Sequence, residues 1–464
     1  MSRVLRLERL RWSRHQLVMG FEIGDLSFST VYWYPTVDLR ALDARYGERA
    51  MERIHLHSAL FEANKLVSLR PDTIDLGPWA RHHTAALEQL WQTVLHHVWG
   101  QWRYEHDLPG EPRIRFEQAP AAPRGQALRR DDVRDEALVF CGGGKDSLVM
   151  MRLMERAGLP FSTYAYSSSV YGPAEPQERL LDGLLARCAG RARHSQRVLD
   201  DLFDAPVLAL HGAEFGVSTL TAAETPSSVF GALPVALAHG YHRLVLGHEA
   251  SANRGNLIWS RTGEEVNHQW GKSIHAERLL ADYLRRELVE DLGLLSLLMP
   301  LHDVLIFELL RGDLDALPAT HSCNVAKPWC RRCAKCAYVW LGYRAHLPDH
   351  DVRALFPEEL TEIPANRLHF EELLGLGEHT PFECVGQVEE ARLALALCGA
   401  RGLLGPEGRR LLDRVGPVDR AGLEPFLTLQ ASRLPEDYAA ALGPLLAAAS
   451  ASARARVQAV LGPA

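Results

Sequence analysis

Gly142-Gly143-Gly144-Lys145-Asp146-Ser147 is the run of residues whose types and spacing speak most directly of chemistry. It follows an apolar stretch, Ala137-Leu138-Val139-Phe140, that reads as a buried strand. It precedes Leu148, Met150, Met151, Leu153 and Met154, which are spaced as one helix. A glycine-rich turn from a strand into a helix N-terminus is a phosphate cradle. Glycine lets backbone N–H groups approach an anion, and the helix dipole favours negative charge there. The turn is not a Walker A loop. That pattern needs Gly at 139 and Ser or Thr at 146, where Val139 and Asp146 stand.

Four further constellations carry polar or metal-binding chemistry. Cys323, Cys330, Cys333 and Cys336 have the spacing C-x6-C-x2-C-x2-C. Four thiolates this close suit tetrahedral Zn²⁺ in a closed, structural site, and a C-x2-C-x2-C run can also hold an iron–sulfur cluster. Lys327, Arg331, Arg332 and Lys335 would offset the thiolate charge. Gly247-His248-Glu249-Ala250-Ser251-Ala252-Asn253-Arg254-Gly255-Asn256 follows a strand and is poor packing material but good binding material. Val266-Asn267-His268-Gln269-Trp270-Gly271-Lys272-Ser273 offers His268 and Lys272 to a carboxylate or phosphate, and Pro381-Phe382-Glu383-Cys384-Val385-Gly386 sets a carboxylate beside a thiol. Asp303 reads as a helix cap, and the helix through Tyr338–Tyr343 as an ordinary packing face.

The elements that must position these residues fall into three parts. Residues 3–34 read as strands, including 17–23 and 26–34. Residues 40–64 and 78–105 read as helices whose histidines (His55, His57, His82, His83, His96, His97) are packing or surface positions. A Pro/Ala/Gly-rich boundary falls near 117–130. Beyond it, strand candidates at 137–141, 160–166, 206–210 and 243–247 alternate with helix candidates at 147–157, 177–189, 226–239 and 275–289. That alternation predicts a doubly wound parallel α/β sheet with ligands at the carboxyl ends of its strands. The expected domains are an α+β region over 1–120 with a possible substrate-binding role, a catalytic domain over 131–350 that includes the four cysteines, and a loop-rich then helical region over 351–464, with 431–464 a short helical appendix. A net charge of −7 argues against a nucleic-acid partner, and no apolar run approaches a membrane span or a signal sequence, so a cytoplasmic protein is expected. Eight cysteines in such a compartment should be thiols or metal ligands.

The glycine run resembles the S-G-G-x-D-S loop of the ATP pyrophosphatase superfamily, with Gly142 replacing the first Ser and so removing a hydroxyl donor to phosphate. With the four cysteines, the chain resembles the 7-cyano-7-deazaguanine synthase group. The motifs at 248–256, 266–273, 322–324, 329–336 and 381–386 together are more closely similar to the UDP-N-acetylmuramoyl-L-alanyl-L-glutamate epimerases. The likeness spans about 137–386.

This resemblance implies a fold of the adenine-nucleotide alpha-hydrolase type and a nucleotide-linked muropeptide substrate. The family uses ATP and Mg²⁺ to invert the terminal L-glutamate. ATP would sit on Gly142, Gly143, Gly144, Lys145, Asp146 and Ser147, and structural Zn²⁺ on the four cysteines. Acid–base groups would come from Glu249, His268, Lys272, Glu383 and Cys384, and substrate contacts from His248, Ser251, Asn253, Arg254, Asn256 and Asn267. Three other readings stay open: an amide or nitrile synthase on a small carboxylate, a peptide C-terminal epimerase of secondary metabolism, and a tRNA-modifying protein.

Overall fold

Ala137, Leu138 and Val139 are all fully buried, so their strand is covered on both faces. The computed structural model, which describes residues 3–110, 113–120, 126–202, 217–430 and 433–462, shows why. The strands are β1 (Val4–Trp12), β2 (Gln16–Ile23), β3 (Leu26–Trp33), β4 (Thr73–Asp75), β5 (Arg115–Phe116), β6 (Arg134–Phe140), β7 (Phe161–Ser168), β8 (Arg193–Asp200), β9 (Tyr241–Leu246), β10 (Leu257–Ile258), β11 (Glu265–Val266) and β12 (Gly293–Ser296). Ten of them form one mixed sheet in the order β12-β9-β6-β7-β8-β3-β2-β1-β4-β5, and β10 and β11 make a separate hairpin.

The five strands from β12 to β8 are mutually parallel. Starting from β6, the chain builds outward through β7 to β8, then returns across the sheet to β9 and β12. The direction of winding therefore reverses between β6 and β9. In doubly wound sheets that reversal opens a crevice at the carboxyl edge, where ligands bind. Alternation along β6 feeds both layers. Leu138 and Phe140 join a core with the N-terminal strands and the helix Glu224–His239. Ala137 and Val139 face the helices Lys145–Arg156, Asp303–Leu310 and Ala334–His346.

The expected strands 137–141, 160–166 and 243–247 appear as β6, β7 and β9, whereas 206–210 lies outside the described residues. Two parallel strands were not expected. β8 is polar in sequence and is held by its neighbours: parallel to β7, antiparallel to β3, with Tyr164 donating to Gln196 at 2.7 Å and His194 meeting the Tyr241 hydroxyl at 2.7 Å. β12 lies inside an apolar run from Leu292 to Met299 whose spacing does not separate strand from helix. The N-terminal meander extends the same sheet through β3 and β8.

The C-terminal segment is more than an appendix. Helix Glu436–Leu461 buries Tyr438, Leu442, Leu446, Ala453 and Val457 in the second core layer. Its Ser452 and Arg456 bond Glu308 at 2.7 Å each. Among the described residues no helix is long and apolar enough to cross a membrane.

Candidate functional site

A cavity of about 260 Å³ opens at the reversal between β6 and β9. The turn after β6 and the loop after β9 both line it. Segments 269–272, 321–327 and 384–385 close it from elsewhere in the chain.

Glycine conformations decide the turn after β6. Gly143 has φ +84, a left-handed conformation that side chains resist, and a Cβ there would lie 2.1 Å from the His321 imidazole. His321 donates its backbone N–H to the Gly143 carbonyl at 2.8 Å, which docks segment 320–322 on the turn. Gly142 N–H donates to Ser147 Oγ at 3.0 Å. The helix Lys145–Arg156 begins at Gly144 without a side-chain cap, so its first turn faces the cavity unblocked. Lys145 is buried, and its ammonium is shared between Asp146, at 2.6 Å, and Asp303. Burial opposes its charge, but the two carboxylates outweigh that and raise its pKa. Asp303 therefore serves as the partner of Lys145 rather than as a simple cap.

Across the cavity, Lys272 Nζ lies 2.8 Å from Cys384 Sγ. Burial alone would raise that thiol. Lys272 and Lys335, with a hydrogen bond from His268, instead hold it well below the ordinary range. Gln269, which donates to the Val385 carbonyl at 2.8 Å, and Asn256, which donates to that of Pro381 at 2.7 Å, tie the Cys384 segment down.

Glu224, Glu249 and Asp303 also line the cavity, and Glu390 lies beside Glu249. Glu249 is held well above the ordinary carboxylate range by burial first, then by Asp303 and Glu390. Glu390 accepts from Ser251 Oγ at 2.6 Å and from Gln387 N–H at 2.8 Å. The Tyr338 ring reaches this group: a Cβ on Gly386 would lie 1.9 Å from its hydroxyl. Its helix is thus not only a packing face. Glu224 accepts from Tyr166 at 2.7 Å and from Tyr171 at 3.0 and 3.1 Å.

The four cysteine sulfurs lie within 4.8 Å of one another, with Cys323–Cys333 at 3.9 Å and Cys330–Cys336 at 3.8 Å. A tetrahedral ion with bonds of about 2.3 Å sets its ligands about 3.8 Å apart, so the donor set fits such an ion. Backbone N–H groups of Val325, Ala326 and Cys330 point at Cys323 Sγ, each at 3.4 Å, an arrangement that stabilises a thiolate. It is the one such group of metal-binding side chains among the described residues, and the N-terminal histidines form none. We expect a single equivalent of metal per chain. Cys330→Ser should lower both metal content and melting midpoint, as read by elemental analysis and thermal unfolding. Full retention of both would remove the metal from the account.

Of the residues expected at the site, Gly142, Gly144, Lys145, Asp146, Ser147, His248, Glu249, Lys272 and Cys384 line the cavity. Gly143 does not line it but bonds the lining residue His321. Burial pushes the His248 imidazole down to about 3, so it is neutral. Glu383 and His268 flank Cys384, and His268 Nδ1 contacts Gln101 at 2.6 Å. Ser251, Asn253, Asn256 and Asn267 spend their hydrogen bonds on protein partners, and Arg254 pairs with Glu389 at the surface.

The sequence reading did not place Tyr171, Glu224, Asp303, His321, Ser322, Lys327 or Lys335 at the cavity. For the last two the signal was the excess of cations around the cysteines. Burial pushes Lys327 down to about 8.

Sheet and cavity define an α/β protein that gathers polar groups at the switch point of its parallel strands. Residues 17–297 match the MurL N-terminal domain and residues 319–402 the MurL C-terminal domain. The chain belongs to the MurL family. It is similar to the UDP-N-acetyl-alpha-D-muramoyl-L-alanyl-L-glutamate epimerase of Salinispora tropica, at 32% identity over 64% of this chain and 63% of that protein. The protein of the same name from Micromonospora sp. is 33% identical over 64% of each chain. That of Xanthomonas oryzae pv. oryzae is 30% identical over 76% of this chain and 75% of its own length. The chain thus spans just under two thirds of the first two relatives.

Proposed function

We propose that this protein is an epimerase of peptidoglycan precursor synthesis that inverts the terminal L-glutamate of UDP-N-acetylmuramoyl-L-alanyl-L-glutamate, using ATP and Mg²⁺ on a fold of the adenine-nucleotide alpha-hydrolase type. The observation that carries this reading is one cavity holding both the uncapped glycine turn and the Lys272–Cys384 pair. Family membership supports it.

The Cα–H beside a free carboxylate is a very weak acid, because its loss puts a second negative charge next to the first. ATP, when bound, supplies carboxylate activation as an acyl-adenylate with release of pyrophosphate, which cancels the first charge and makes the carbonyl an electron sink. The backbone of Gly142–Gly144 and the first turn at Lys145–Ser147 would hold the departing phosphates, and Asp146 would hold the Mg²⁺ that accompanies them, which would offset their charge. Lys145 is held beneath the turn by Asp146 and Asp303.

Cys384, kept as thiolate by Lys272, removes the Cα proton. Glu249, held toward its protonated form by burial and then by Asp303 and Glu390, returns one, and water then hydrolyses the adenylate to free AMP and the D-glutamyl carboxylate. Two groups in opposite protonation states in one cavity are what inversion requires. Asn256 and Gln269 position the thiol segment, and His268 and Glu383 tune it. Zn²⁺ on the four cysteines would fix the segment that carries Ser322, Lys327 and Lys335 to the cavity wall. Residues 1–120 would grip the nucleotide-sugar end of the substrate.

The test is incubation with ATP, Mg²⁺ and the L-glutamyl substrate, followed by chiral analysis of the glutamate. D-glutamate formed with AMP and pyrophosphate is the expected result. Product that forms only with ammonia would replace this reading with an amide synthase. Asp146→Ala is expected to stop pyrophosphate release, and full release in that variant would refute the nucleotide assignment.

A further inference from the structure

The turn after β6 has glycine at 142, where its resemblance to pyrophosphate loops leads one to expect a serine hydroxyl. Sterics do not demand that glycine. Its φ is not positive, and a Cβ built on it meets nothing within 4 Å. The hydroxyl is therefore missing at a position with room for it.

A second hydroxyl stands close by on another segment. Ser322 directly follows His321, whose backbone is bonded to Gly143 at 2.8 Å. A Cβ on Gly144 would lie 3.0 Å from Ser322 Oγ, which sets that oxygen against the uncapped N-terminus of the helix Lys145–Arg156. Ser322 Oγ is buried and has no hydrogen-bond partner among the described residues. Of the residues with such orphaned atoms, Ser322 alone lines the cavity. A buried hydroxyl without a partner is costly and asks for a reason, of which an absent ligand is one. Its neighbour Cys323 belongs to the metal-binding group, so its backbone is anchored on both sides.

We propose that Ser322 Oγ supplies from across the cavity the phosphate-binding hydroxyl that position 142 lacks. This rests on the reading of the cavity as a nucleotide site. A serine at 142 would then duplicate a hydroxyl that Ser322 already supplies. The donor also rides on the cysteine-rich segment, so phosphate affinity depends on that segment being docked.

Isothermal titration of ATP and of inorganic pyrophosphate, each with Mg²⁺, tests the proposal on wild type, Ser322→Ala, Ser322→Thr and the double variant Gly142→Ser/Ser322→Ala. Losing one hydrogen bond to a charged group weakens binding on the order of tenfold or more. Ser322→Ala should show that loss, Ser322→Thr should retain most of the affinity, and the double variant should recover most of it.

Ligand-free Ser322→Ala should be at least as thermally stable as wild type, because it removes an unsatisfied buried group. A hydroxyl that merely supports the fold would give the opposite. Wild-type affinity in Ser322→Ala, or equal weakening in the single and double variants, overturns the proposal. Absence of ATP and pyrophosphate binding in the wild type itself would overturn the nucleotide reading beneath it.

Discussion

Gly143→Ala is expected to lose measurable pyrophosphate release and to be markedly less stable in urea, while Gly142→Ala one residue earlier keeps wild-type stability. At 143 the backbone sits at φ +84, and holding an alanine there costs about 1–3 kcal/mol. The added methyl would also lie 2.1 Å from the His321 ring, and overpacking of that kind adds about as much again. Relief requires the buried His321 ring to turn aside or its segment to leave the turn, the latter breaking the 2.8 Å bond to the Gly143 carbonyl and carrying Ser322 away from the helix N-terminus. At 142 a Cβ meets nothing within 4 Å, so the neighbouring variant controls for a general intolerance of side chains in the turn. Equal unfolding midpoints for the two variants would show that the turn is not held as described.

The contrast between these two glycines marks what the sequence could convey. Strand, glycine turn and helix were legible because each follows from local spacing, and β6 with the helix Lys145–Arg156 appears where periodicity placed it. That one glycine is demanded by an imidazole nearly 180 residues away was not legible, because the contact belongs to the tertiary fold. β8 escaped for a related reason: its polar side chains find partners in Tyr164 and Tyr241, which only the assembled sheet supplies.

The cysteine cluster declared itself by spacing. The same segment's delivery of Ser322, Lys327 and Lys335 to the cavity did not, since direction across a fold leaves no trace in composition. Asp303 was visible at a helix start, but its role as partner to Lys145 depends on the helix after β12 lying beside the helix after β6. Glu390 had no local signal at all. It becomes part of the site only through Ser251 and the end of the 381–387 segment.

Cys384→Ala is expected to stop deuterium entry at the glutamate Cα in D₂O while leaving ATP binding intact, with loss of about 10²–10⁴-fold in turnover if the thiolate is the base. Lys272→Met should reproduce much of that loss by a different route. Lys272 lies 2.8 Å from the sulfur and is the foremost group opposing the effect of burial on it. A thiol held well below its ordinary value ionises at lower pH than a free one. The onset of its alkylation by iodoacetamide should therefore lie at lower pH than that of an ordinary thiol, whose rate rises toward about pH 8.5.

Removing the Lys272 ammonium leaves burial less opposed, so the onset of alkylation should move to higher pH in Lys272→Met. The three other thiols outside the metal-binding group do not confuse the readout. Burial pushes Cys141 up to about 11 and Cys188 and Cys398 up to about 12, so all three stay protonated across that range. Peptide mapping of the modified residue, followed from pH 6 to 9, separates the two roles of Lys272. If the alkylation profile shifts and exchange falls with it, the lysine acts through the thiol. If exchange falls while the profile stays fixed, Lys272 itself handles the proton and Cys384 only lies beside it. Undiminished exchange in both variants would move proton abstraction elsewhere in the cavity, and Glu249 would be the next carboxyl to test.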